Sequence, residues 1–442
     1  MMRWFGKYIP RGSVVLAVTT FGSYILGLLR DRTFAQTFGA SASLDSYNAA
    51  FLIPDLAFNV LVASGIAAAV VPLFIQLRAT NQRQAHVYIN SMMTIAVIVM
   101  GMMGVIIYIA APWLSHLVAP GLDANEHILV AELMRILALS PILFAASNAL
   151  GALLVAQQRF FFYGLSPLLY NIGIIAGSLY LAPYLGIKGV AYGTVFGALL
   201  HLTARVVAAW RSGWRPVPLL QVPIPRLGET LRLIGPKMLG HPVELVTFWA
   251  FTSLASLMSA GSISILNFAR NFQSVPVSIL GIAMATAVFP DLARAALASP
   301  TQVRLLVRRT ALSIFLASSA AAVGLFGIRH QLVTILLGGG AFDEAAIRRT
   351  ALVLGVFCLA IPTESLSHLL ARAFYATKNT AIPVLWSIIS LLVAVSSAYG
   401  LSHTIGIVAL PIGFFLGSLG KVVGLWITLH IRLTPVRAAI PQ

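Results

Sequence analysis

The chain has 442 residues, of which 59% are apolar and 9% charged, with a formal net charge of +17. A soluble globular domain carries about 25% charged residues, so this composition excludes that class and predicts a polytopic membrane protein. The single cysteine, Cys358, excludes an internal disulfide framework; it lies in an apolar run and reads as a small core residue.

A membrane helix needs roughly 20 apolar residues. Twelve segments meet this, near 12–30, 46–75, 88–115, 129–157, 164–184, 187–210, 233–258, 262–292, 305–326, 346–374, 381–401 and 405–430. Backbone amides in hydrocarbon must be satisfied within their own segment, so all twelve are predicted helices. The short alternating segments of a barrel are not seen. The basic start, Met1 to Arg11, precedes an apolar stretch without a small-residue cleavage site, so that stretch reads as a retained first helix. Several segments exceed bilayer thickness and are expected to tilt or extend into water.

Basic residues fall in alternate loops: Arg78 and Arg83, Arg159, Arg211 to Arg232, Arg294 to Arg309, Lys378, and Arg432 with Arg437. That bias predicts cytoplasmic termini. It also accounts for most of the positive charge, so no nucleic-acid partner is expected. The stretch from Arg211 to Glu229 contains Pro216, Pro218, Pro223 and Pro225. It cannot be helix interior. It therefore separates an N-lobe, 1–210, from a C-lobe, 230–442, with 211–229 as a cytoplasmic linker.

The halves echo each other. Leu44 to Asn48, with Pro54 and Pro72, parallels Leu266 to Arg270, with Pro276 and Pro290; Pro141 and Pro167 parallel Pro362 and Pro383. The expected fold is all-α: two six-helix lobes related by a pseudo-two-fold repeat, a common transporter plan.

Ionisable residues within apolar segments are costly and so are functional candidates. Arg30-Asp31-Arg32 closes the first segment, and Asp45 and Asn48 open the second. Arg270 lies inside the eighth, away from the basic loops. Arginine suits an anionic cargo because its planar fork pairs two oxygens and stays charged. Arg32 reads as a snorkelling interfacial residue, and Asp45 suits either a helix N-terminus or a gate. Glu244, Glu364 and Lys421 are candidates for ion coupling or for ion pairs, and Lys237 lies near the seventh segment. No hydrolase, metalloprotease or P-loop signature is present, and the metal content is not readable. Gly338-Gly339-Gly340 lacks the following lysine and reads as a turn.

Specific runs resemble a known family. Gly27-Leu-Leu-Arg30-Asp31, Phe38-Gly39-Ala40, Asp45, Ala50 to Pro54 and Val71-Pro72 resemble the first-repeat signature of the MurJ/MviN family. So do Ala111-Pro112-Trp113 with Ala119-Pro120-Gly121, Gly235-Pro236, and Phe374-Tyr375-Ala376 with Pro383. The resemblance implies a lipid II flippase of the multidrug/oligosaccharidyl-lipid/polysaccharide exporter superfamily. Such a protein moves an undecaprenyl-diphosphate-linked peptidoglycan precursor across the bacterial cytoplasmic membrane by alternating access. It implies a transporter rather than an enzyme, with no cofactor, with coupling to an ion gradient or membrane potential, and a monomer among membrane lipids. Substrate-binding roles fall on Arg30, Arg270, Asp31, Asp45 and Asn48.

The chain departs from the family at Tyr24 and Phe58, where arginines are common, and at Ser64, where an acid is usual; about twelve helices replace about fourteen. Flipping of another polyprenyl-diphosphate glycan, and cation-coupled drug export, remain the alternatives within the superfamily. A drug-cation site should be acidic and a diphosphate site basic. A membrane glycosyltransferase would want a large outer loop with paired carboxylates, and the outer loops are short.

Overall fold

The computed structural model describes residues 11–63, 66–221 and 242–433, with positions 228 and 230. Gly235-Pro236, Lys237, both chain ends and part of the linker expected at 211–229 lie outside the described residues. The first unit is Met1–Leu245 together with Gly339–Phe342, and the second is Val246–Gly338 with Asp343–Gln442.

The first unit holds α1 (Arg11–Phe38), α2 (Ala42–Phe58), α3 (Ile66–Thr80), α4 (Gln82–Val118), α5 (Ala124–Leu137), α6 (Leu139–Ala156), α7 (Phe160–Ala176) and α8 (Ile187–Arg211). Next comes α9 (Pro242–Ser256), at whose start the units divide. The second unit continues with α10 (Ser262–Pro276), α11 (Ala283–Ala298), α12 (Pro300–Leu337), α13 (Glu344–Phe357), α14 (Ala360–Ala376), α15 (Ala381–Ile405) and α16 (Ala409–Leu433). Among the described residues the only strand-like pairing is an isolated bridge between Gly339 and Phe342.

By length and composition, nine helices among the described residues could cross a membrane, or ten if α13 and α14 form one span bent by 43°. Each of the twelve apolar segments has a helical counterpart. The difference arises because Ala381–Leu433 counts as one span although it contains α15 and α16, and because Val243–Ser256 is short. The second expected segment is not one regular helix. It passes from α2 through a π-helical stretch, Asn59–Ala63, before α3.

The helix breaks make the internal repeat visible. Asp123 and Asp343 cap α5 and α13 with the same backbone conformation, φ −76° in both, each side chain accepting an amide hydrogen bond at 2.8 Å. Gln158 and Lys378, both at positive φ, close α6 and α14. Gly186 and Gly406, with φ near 57° and 59°, turn the chain into its next helical segment. All three pairs are separated by the same 220 positions. Capping satisfies amides that a helix end would otherwise leave bare, so a break can be placed only where such chemistry exists.

The linker is anchored where it leaves α8. Trp214 is buried against His86 and Phe74. The backbone amides of Leu219 and Gln221 donate to Thr94 Oγ1 and Ser91 Oγ of α4, at 3.0 and 3.1 Å. These proline-interrupted residues thus exchange helical hydrogen bonds for a polar row on α4.

Two helix pairs pack backbone to backbone. A β-carbon added at Gly173 of α7 would fall on the backbone of Gly197 of α8, and one at Gly193 on Gly177. In the second unit, Gly413 and Gly417 of α16 lie likewise against Ala394 and Ser390 of α15. Small residues permit this approach where lipid supplies no hydrophobic drive between helices. Gly193→Leu is expected to destabilise the protein by about 1–3 kcal/mol through overpacking, seen as a lower melting temperature. Gly101→Leu, where a β-carbon meets nothing within 4 Å, should leave it unchanged.

Candidate functional site

Arg30 and Asp31 lie near the end of α1. Successive residues diverge around a helix, so the pair depends on the length of the arginine side chain. Arg30 Nε and Nη2 both donate to Asp31 Oδ1, at 3.1 and 2.9 Å. Arg30 Nη1 donates to Asn171 Oδ1 of α7 at 3.3 Å. Asn171 is oriented by its own helix: its Nδ2 donates to the Pro167 carbonyl at 3.1 Å, leaving the amide oxygen for Arg30. Asp31 is 5% exposed, whereas the Arg30 side chain keeps 27% of its surface open. A buried charge demands such partners.

Asp45 and Asn48 fall on α2, as expected. Ser41 caps that helix by accepting from the Leu44 amide at 3.4 Å, and Asp45 lies in the first turn, 2% exposed. A carboxylate there faces the positive end of the helix dipole. Between them, Tyr47 donates to or accepts from Thr194 Oγ1 of α8 at 2.8 Å and sets its ring edge-on to Phe34, 5.5 Å between centroids. The Arg30 guanidinium lies 6.0 Å from that Phe34 ring. α1, α2, α7 and α8 therefore converge on one polar cluster within the first unit.

Arg270 belongs to the second unit. Its guanidinium carbon lies 3.3 Å from the ring centroid of Phe248 on α9, a cation–π contact. Phe248 in turn meets Phe251 and Phe414 at 5.8 and 5.4 Å. One turn along α10, Gln273 Nε2 donates to Glu364 Oε2 of α14 at 2.7 Å. Glu364 is thus tied to the Arg270 helix. Lys421 is half-buried on α16, and Glu244 is exposed in the first turn of α9. Arg32 is partly buried on α1, beside the groove that α1 forms with α7. Among the described residues no group of three or more His, Cys, Asp or Glu could hold a metal ion.

Sequence reasoning missed a second buried cation. Arg205 of α8 is 4% exposed. Its Nη1 donates to the Ser147 carbonyl at 2.8 Å and its Nε to Ser166 Oγ at 3.3 Å, with the guanidinium 4.8 Å from the Tyr163 ring centroid. His201, one turn away, shares a 2.8 Å hydrogen bond with Ser147 Oγ. Gly151 makes room, since a β-carbon there would strike the guanidinium. The available signal was the His201–Arg205 spacing on one helical face, obscured by the basic helix end at Arg211.

Arg205 is expected to serve the fold. Arg205→Ala should cost about 1.5–3 kcal/mol, the range for hydrogen bonds to a charged group, and lower the melting temperature. An unchanged melting temperature would remove it from the structural framework.

A family model described as lipid II flippase MurJ matches residues 34–439. The probable lipid II flippase MurJ of Aquifex aeolicus is 26% identical over 442 residues, covering 98% of this chain and 84% of that relative. The lipid II flippase MurJ of Burkholderia cenocepacia is 24% identical over 418 residues, covering 92% and 81%. Among solved structures, a lipid II flippase MurJ in an inward closed conformation superimposes with a TM-score of 0.82 at 20% identity, covering 95% of this chain and 89% of that one. An inward-facing multidrug resistance MATE family transporter of the MOP superfamily gives 0.81 at 14% identity, covering 98% and 100%.

Proposed function

The chain belongs to the lipid II flippase MurJ family, and from that premise we propose that it flips lipid II across the bacterial cytoplasmic membrane by alternating access. The observation that carries this reading is the extent of the family match, residues 34–439. The family is one of multi-pass membrane transporters, not enzymes. The matched stretch begins just after Arg30, so the role of Arg30 rests on its own geometry.

In this proposal Arg30 and Arg270 each supply a charge-assisted hydrogen bond to the diphosphate of the cargo. Two features support it. Asp31 and Asn171 orient Arg30 while part of its side chain stays open. Phe248 packs against the face of Arg270, a contact that suits a side chain that keeps its charge. Asp45 and Asn48 shape the first-unit cluster, and Glu364 is the candidate for a coupling ion. Glu244 and Lys421 remain candidates for coupling or ion pairing. The protein acts as a monomer with both termini in the cytoplasm.

The test is flipping of labelled lipid II in vesicles at matched protein levels. Arg30→Ala and Arg270→Ala should each slow flipping by about tenfold or more, as loss of a charged hydrogen bond implies. Lysine should restore each only partly, since it keeps the charge and loses the fork. Wild-type rates in both alanine variants would remove the arginines from cargo binding. A wild-type protein that flips a different polyprenyl-diphosphate glycan but not lipid II would overturn the substrate.

A further inference from the structure

The second unit carries a basic cavity that the flipping reading does not use. It has a volume of about 280 Å³ and is lined by Arg304, Val307 and Arg308 of α12 and by Trp426, Leu429, His430 and Leu433 of α16. Its floor is apolar: Val307, Leu429 and Leu433 are buried and belong to one hydrophobic cluster. Its rim is cationic. Arg304 and Arg308 stand one turn apart on α12, and Arg304 Nη2 lies 3.3 Å from His430 Nε2.

The sequence around this cavity is one-sided. Neither α12 nor α16 contains a single Asp or Glu. The acid preceding α12, Asp291, is held by Arg294 at 2.6 Å. Like charges one turn apart repel, so Arg304 and Arg308 leave a site whose charge an anion would balance. Trp426 is 40% exposed at the lip, and tryptophan favours the level of lipid headgroups. Basic pockets between membrane helices, with apolar floors, match phosphate-bearing lipid headgroups.

We propose that this cavity is a binding site for the headgroup of an anionic phospholipid from the leaflet that this end of α12 and α16 faces. The phosphate sits between Arg304 and Arg308, His430 supports Arg304, and the upper acyl chain lies against Trp426 and Leu429. The site is separate from the residues assigned to cargo, so its test is independent of lipid II.

The experiment reads Trp426 fluorescence, taken as the difference between the wild-type chain and Trp426→Phe, in phosphatidylcholine vesicles. Either brominated phosphatidylglycerol or brominated phosphatidylcholine is titrated in as the quencher. Half-quenching should need about tenfold less of the anionic lipid, given the attraction of two arginines near the surface. Arg304→Gln with Arg308→Gln should abolish that preference. Arg294→Gln with Arg309→Gln removes the same charge from this end without touching the cavity lining, and should keep it; correct folding of each variant is checked by its melting temperature. Equal quenching by the two lipids in the wild-type chain would overturn the proposal. So would a preference lost equally in both double variants, which would mean diffuse attraction to a basic surface. If the cavity double variant fails to fold, Arg304→Lys with Arg308→Lys replaces it. That pair should retain most of the preference, and its complete loss there would also overturn a headgroup site held by charge.

Discussion

In hydrocarbon a backbone amide has no water to fall back on, and the rest of this structure depends on that constraint. It forces long helices, and it dictates where they can stop. Each break carries its own remedy. Asp123 and Asp343 cap helix starts with side-chain oxygens, Gly186 and Gly406 turn at positive φ, and Trp214 to Gln221 lean on the hydroxyls of α4. Breaks made this way recur at matching places in the two units, which is how a weak echo between apolar sequences becomes a repeat in the fold.

Buried charge obeys the same rule with different solutions. Arg205 has both bonded nitrogens occupied by the Ser147 carbonyl and the Ser166 hydroxyl and its face on Tyr163. That is a closed arrangement. Arg30 shares Asp31 and Asn171 but keeps a quarter of its side chain open. Arg270 uses the face of Phe248. The three arginines thus differ in how fully their neighbours enclose them, Arg205 being 4% exposed and the Arg30 side chain 27%.

Much of the fold was legible because its signals are physical extremes. Apolar runs of membrane length located the helices, and Pro54, Pro72, Pro276 and Pro290 aligned the halves. Arg30 and Arg270 stood out because charge in such runs is rare. Arg205 did not, because it lies close to the basic helix end at Arg211. Its partners, a carbonyl and a hydroxyl from other helices, have no sequence signature. The cavity at Arg304 and Arg308 was equally hidden. Sequence displays the charges on α12, but only the fold brings α16 beside them.

The prolines carry a further consequence. Pro54 and Pro72 are 18 residues apart, whereas Pro276 and Pro290 are 14 apart. The first unit thus has four additional residues here, close to one turn of about 3.6 residues. An increment of that size lengthens a helix while leaving everything downstream on nearly the same face. The remaining fraction of a turn can be taken up by π-helical geometry, and both units place a π-helical stretch between these prolines, Asn59–Ala63 and Val277–Ile282. The two copies could therefore drift in length without losing their packing, provided that they gained or lost residues by the turn.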